Sequence, residues 1–179
     1  MSEIFISYIH EDEIVAKALK TFLEAKLHAR VFVASDQLRL GDEWLSKIRT
    51  ALKSAKVVLA LFSPKAMERP WVNFEAGGAW FSDNKTLIPI CIGDLNPANL
   101  PKPYSNIQGA SLDCELPSGS WYIVQDLWKI LEVKSLSPAP FSFKDEDVDA
   151  LSRALSHWKE AERAMAAYKR RTGEDAPET

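Results

Sequence analysis

Short apolar runs alternate along the first half of the chain with longer stretches in which apolar residues recur every three or four positions. Ile4-Phe5-Ile6 is the first run and reads as a buried strand. Val15, Leu19, Phe22 and Leu23 then share one helical stripe, with Glu11, Asp12 and Glu13 near its positive N-terminal end. Val31-Phe32-Val33 predicts a second strand, and Ala34 to Asp42 a polar loop containing Gly41. Trp44, Leu45, Ile48 and Leu52 fall at helical spacing. Val57 to Phe62 predicts a third strand, ended by Ser63-Pro64. A helix from about Trp71 to Phe81 and a fourth strand, Thr86 to Ile92, continue the series. Such alternation implies a parallel sheet with helices on both faces, and strands this apolar suit a sheet covered on both sides. In sheets of this kind, ligands bind beyond the C-terminal ends of the strands, near the point where strand order reverses. Attention therefore falls on the loops after Ile6, Val33 and Phe62.

From Gly93 to Gly119 the pattern gives way to loop, with Pro97, Pro101, Pro103 and Pro117 and one short edge strand expected near Ile107 to Leu112. A helix near Trp121 to Leu131 is expected to close a domain spanning 1–134. Residues 135–143, with Pro138 and Pro140, read as a linker. Residues 144–171 read as an amphipathic helix, and 172–179 as a disordered tail. On that helix Val148, Leu151, Leu155, Trp158 and Met165 form one stripe. It either packs back on its own domain or, being close to heptad spacing, meets a second protomer. The sequence contains no internal repeat.

Composition narrows the function classes. The chain has 179 residues, 46% hydrophobic and 26% charged, which is enough for one domain with a full core. A net charge of −3 argues against direct nucleic-acid binding, which needs a basic face. The one dense basic cluster, Lys169-Arg170-Arg171, reads as a helix C-terminus. Cys91 and Cys114 make no disulfide framework, and Cys91 sits in an apolar run as a buried thiol would. With no CxxC pair and with His10, His28 and His157 scattered, no metal site is expected. No secretory leader is visible. The longest apolar run, Val57 to Phe62, is far short of the roughly 20 residues of a membrane span, so neither a membrane partner nor a non-cytoplasmic location is expected.

Common catalytic signatures are missing. There is no GxGxxG or GxxxxGK[ST] phosphate loop and no GxSxG elbow. The first strand runs into Ser7-Tyr8 rather than into an acidic cluster. Three segments, however, resemble the Toll/interleukin-receptor (TIR) family, in order and at suitable spacing. Ile4-Phe5-Ile6-Ser7-Tyr8 is similar to its first motif. Asp36-Gln37-Leu38-Arg39-Leu40-Gly41-Asp42-Glu43-Trp44 resembles the loop after the second strand, above all in its bacterial Gly-Asp-x-Trp form. Leu61-Phe62-Ser63-Pro64, then Trp71-Val72-Asn73-Phe74-Glu75, resembles the third strand and a helix bearing a WxxxE motif. The resemblance covers roughly Glu3 to Leu131. It implies a flavodoxin-like α/β fold, a parallel sheet of about five strands, with the later helix as an addition.

Some members of this family only assemble, whereas others hydrolyse or cyclise NAD⁺ with the glutamate of WxxxE. That glutamate corresponds to Glu75, and the resemblance implies a catalytic role for it. The chemistry is compatible with one carboxylate. The nicotinamide–ribose bond joins an anomeric carbon to a cationic pyridinium, so the leaving group departs neutral without the general acid that ordinary glycosides require. A single carboxylate near the ribose can stabilise the oxocarbenium charge that develops. Trp71 lies four residues before Glu75, on the same face of a helix, and could stack on a flat ring or close the core at the helix start. Trp44 is a second aromatic wall or a core anchor. Ser7 and Tyr8 stand where the first strand opens toward the cleft. Asp36 bonds a ribose hydroxyl or shapes its own loop. Leu38 belongs to the loop that the family resemblance implies rearranges between neighbouring domains. Arg39 and His10 read as a solvated loop residue and a structural residue.

The function expected from this reading is NAD⁺ glycohydrolase or cyclase activity in immune or cell-death defence, against phage if the chain is bacterial in style. NAD⁺ is then a substrate, and no cofactor is expected. Self-association through TIR–TIR contacts and a separate sensor or effector protein are the expected partnerships. The alternatives are a non-catalytic adaptor that joins other TIR domains through the 34–42 loop, and a nucleoside-cleaving transferase that also uses one glutamate.

Overall fold

The computed structural model describes residues 3–27, 29–35, 42–69, 84–112 and 145–173, without the side chains of residues 35, 42–45 and 145–148. Five strands, β1 (Ile4–Tyr8), β2 (Val31–Ser35), β3 (Val57–Phe62), β4 (Thr86–Ile92) and β5 (Ala110–Leu112), form one sheet. Its order is β2-β1-β3-β4-β5, and every pairing is parallel. Helix α1 (Glu13–Leu27) follows β1, α2 (Asp42–Ser54) follows β2, and α3 (Asp145–Thr172) is the last described helix. This is the doubly wound, flavodoxin-like α/β arrangement expected from the sequence, with the additional helix.

Alternation along the strands divides the core into two layers. Ile4, Ile6 and Tyr8 of β1, Val57, Leu59 and Leu61 of β3, and Ile90 and Ile92 of β4 pack with Leu19, Phe22 and Leu23 of α1. Leu151, Leu155 and Trp158 of α3 complete the same cluster, so this helix docks on its own domain beside α1. On the opposite face Phe5, Val58, Phe62, Leu87 and Cys91 pack with Ile48 and Ala51 of α2. All residues of β1 and β3 are buried, which explains why both runs lack polar positions until Ser7. Of the α3 stripe, Leu151, Leu155 and Trp158 are buried, whereas Met165 is half-buried.

Pro89 sits inside β4, where a missing N–H would normally cost a ladder bond. β5 begins opposite Ile90, one residue later. The Pro89 carbonyl faces the chain entering β5, because a Cβ on Gly109 would lie 2.7 Å from that oxygen. The lost donor therefore falls just before the β4–β5 ladder starts. Gly109 lets the two backbones approach there, and this close approach shortens the expected edge strand to Ala110–Leu112.

Candidate functional site

β2 lies on one side of β1 and β3 on the other, so the strand order reverses between β1 and β3. The C-terminal ends of these strands are thus the switch point at which a doubly wound sheet holds a ligand. Ser7 is at that level, opposite Ala34 of β2 and Ala60 of β3. These three small side chains lie abreast on the α2 side, one layer beyond the larger Phe32, Phe5 and Val58. All three are buried, and the Ser7 hydroxyl has no hydrogen-bond partner among the described residues. Small side chains in register permit close approach of whatever covers the sheet here.

Tyr8 is placed differently. It points to the α1 side and is 3% exposed, within the cluster formed by Ile4, Ile6 and the α1 stripe. Strand alternation therefore puts Ser7 and Tyr8 on opposite faces of the sheet, and they do not share one wall. Trp44 falls in the first turn of α2, directly after the loop that leaves β2. Asp36, Leu38, Trp71 and Glu75 lie outside the described residues, as do the helices expected near 71–81 and 121–131 and the linker at 135–143.

A buried polar cluster occupies the α1 side of the same rim. The chain leaves β1 through a short 3₁₀ turn, His10–Asp12, in which the Asp12 N–H donates to the Ile9 carbonyl. Asp12 is 1% exposed. The Ser63 hydroxyl donates to its Oδ2 at 2.7 Å, and the Trp158 indole N–H donates to its Oδ1 at 2.9 Å. Ser63 Oγ also accepts from the Ala66 N–H at 3.1 Å, which closes the turn after β3. Burial pushes the Asp12 carboxyl up from its ordinary 3.8 to about 7. The Ser63 and Trp158 hydrogen bonds oppose that rise, while Glu11 and Glu162 add to it. In sequence Asp12 belongs to an acidic trio suited to a helix N-terminus, and Ser63 to a strand terminator. Neither hints at a shared hydrogen bond, because 51 residues separate them and 146 separate Asp12 from Trp158.

Gly93 completes this corner from the end of β4. Its φ is +72°, and a Cβ there would lie 3.1 Å from Cη2 and 3.3 Å from Cζ3 of Trp158. Gly93→Ala is therefore expected to destabilise the fold by about 1–2 kcal/mol through the left-handed backbone alone, and further by displacing the indole. Urea denaturation of the two proteins measures the difference.

The family model for the TIR domain matches residues 4–118, which takes in all five described strands and the whole switch point. The chain belongs to the TIR domain family. No curated protein matches it. Among solved structures, it is similar to the TIR domains in the activated Roq1 resistosome directly recognizing the pathogen effector XopQ. That match has 13% identity and a TM-score of 0.40, and covers 88% of this chain and 83% of the other. α3 lies beyond the matched residues, so Trp158 brings a group from outside the TIR match into its rim. Among the described residues of this TIR domain, no helix is long and apolar enough to cross a membrane.

Proposed function

We propose that this TIR domain cleaves the nicotinamide–ribose bond of NAD⁺ with Glu75 as the catalytic carboxylate. The observation that carries the reading is the family match, which spans Trp71-Val72-Asn73-Phe74-Glu75 within residues 4–118. The sheet supports it with a switch point between β1 and β3, the general place for a nucleotide in such folds. Cleavage breaks the bond from the anomeric carbon to the pyridinium nitrogen, and nicotinamide leaves neutral with the bonding pair. Water then attacks the anomeric carbon and loses a proton, giving ADP-ribose; attack by an internal nucleophile gives a cyclic product instead. Ser7 and the aromatic residues Trp44 and Trp71 are the proposed substrate contacts, with Asp36 and Leu38 from the loop after β2. In this reading NAD⁺ is consumed as a signal or effector step of a cytoplasmic defence response.

The test is incubation of the purified protein at high concentration with NAD⁺, with chromatographic identification of all products. Release of nicotinamide, with no base released from simple nucleosides, supports the proposal. Release of nucleoside bases instead points to a nucleoside-cleaving transferase. No release at any concentration, with self-association intact, overturns the proposal in favour of an adaptor acting by TIR–TIR assembly.

Assembly gives a further expectation. If neighbouring domains complete one another's sites through the 34–42 loop, specific activity should rise with protein concentration, crowding or an activating partner. Activity per molecule that stays constant from dilute monomer to concentrated protein removes the assembly step but leaves the role of Glu75 standing.

A further inference from the structure

The two oxygens of the Asp12 carboxylate are held by neutral donors from two separate parts of the chain. Ser63 belongs to the turn after β3, and Trp158 to α3. The nearby cations are engaged with other carboxylates: Arg69 pairs with Glu11 at 3.1 Å and Lys65 with Glu162 at 3.5 Å. Both of those glutamates disfavour a charge on Asp12. The indole is itself 6% exposed and rests against Gly93. A carboxylate in this setting is bonded but not neutralised. The Ser63 contact serves either protonation state, since the hydroxyl donates to an ionised carboxylate and can accept from a protonated one.

We infer that Asp12, Ser63 and Trp158 form a proton-sensitive clasp that holds α3 against the turns following β1 and β3, tightening on acidification and loosening as pH rises. Asp12 in an opened clasp regains water and its ordinary affinity for protons, whereas Asp12 in the closed clasp binds its proton more tightly. From about pH 4 to about pH 7 the opened form has lost its proton and the closed form retains it. Rising pH therefore favours opening across that window and has no further effect above it. The titratable and charged groups on the elements around the carboxyl include His10 and Glu11 in its own turn, Lys65 and Arg69 after β3, and Glu162 on α3. Because its turns flank the switch point, the clasp links α3 docking to the shape of that rim whether or not NAD⁺ is turned over.

Hydrogen exchange of the whole chain between pH 5 and 8.5, corrected for the intrinsic rate, tests the clasp. Protection of amides 151–158 in α3 is expected to fall by about tenfold or more between pH 5 and 7.5, then level off. Asp12→Asn imitates the protonated carboxyl, with its oxygen accepting from Trp158 and its amide donating to Ser63. It should abolish that dependence and leave α3 more protected than wild type at pH 8. Carboxyl ¹³C shifts of the wild-type protein give a second measurement that needs no variant, with an Asp12 midpoint near neutrality expected. Protection of α3 that does not change with pH, a dependence that persists in Asp12→Asn, or an Asp12 midpoint in the ordinary carboxylate range overturns the proposal.

Discussion

Glu75→Gln is expected to lower nicotinamide release by roughly 10²–10³-fold or more, the scale seen when one preorganised electrostatic group is removed from a transition state. Leaving-group departure requires no proton, so the whole demand on the protein is to stabilise positive charge spreading over the anomeric carbon and ring oxygen. A carboxylate does this and a neutral amide of nearly the same shape does not. The loss should appear in kcat more than in KM, because charge develops only on the way to the transition state. Circular dichroism and thermal melting of the variant should match wild type. Wild-type turnover in well-folded Glu75→Gln would remove the catalytic assignment, and the adaptor reading would then account for the family membership.

The sheet was legible in the sequence because a parallel strand covered on both faces has nowhere to place a polar residue. β3 and β4 accordingly have the bounds expected from their apolar runs, Val57 to Phe62 and Thr86 to Ile92. β5 is shorter than expected, since Gly109 is committed to a close backbone approach to Pro89 and cannot begin the ladder. α3 was legible as an element from its stripe, but periodicity alone left two partners open. Packing against α1 and the sheet resolves that choice in favour of its own domain.

The polar side of the rim was not legible. Asp12 stands between Glu11 and Glu13, and nothing local distinguishes it as the member that becomes buried. Its environment is made by Ser63 and Trp158, which only tertiary docking brings near. The faces of Ser7 and Tyr8 follow from the two-residue strand period, so these two candidates at the end of the first strand stand on opposite sides of the sheet. Family motifs indicate Ser7 and Glu75 by position. The register adds what motifs do not contain, namely that Ser7 lies abreast of two alanines.

Trp158→Ala is expected to destabilise the protein by about 3–5 kcal/mol, the usual cost of truncating a buried aromatic residue to a methyl group. In a chain of this length that corresponds to a fall in Tm of roughly 6–20 °C. Three losses combine. The indole leaves a cavity against Gly93, Asp12 Oδ1 loses its donor, and α3 loses the last residue of its buried stripe. Trp158→Phe separates them, because it keeps most of the ring packing and removes only the N–H. It should cost about 1–3 kcal/mol, the penalty for leaving one buried acceptor unpaired. Since α3 packs on its own domain, neither variant should change the mass in solution, and the loss of stability should not depend on protein concentration. Light scattering and thermal melts across a dilution series check both points. A shift toward lower mass, or a Tm difference that grows on dilution, would instead assign the Trp158 face to a contact between protomers.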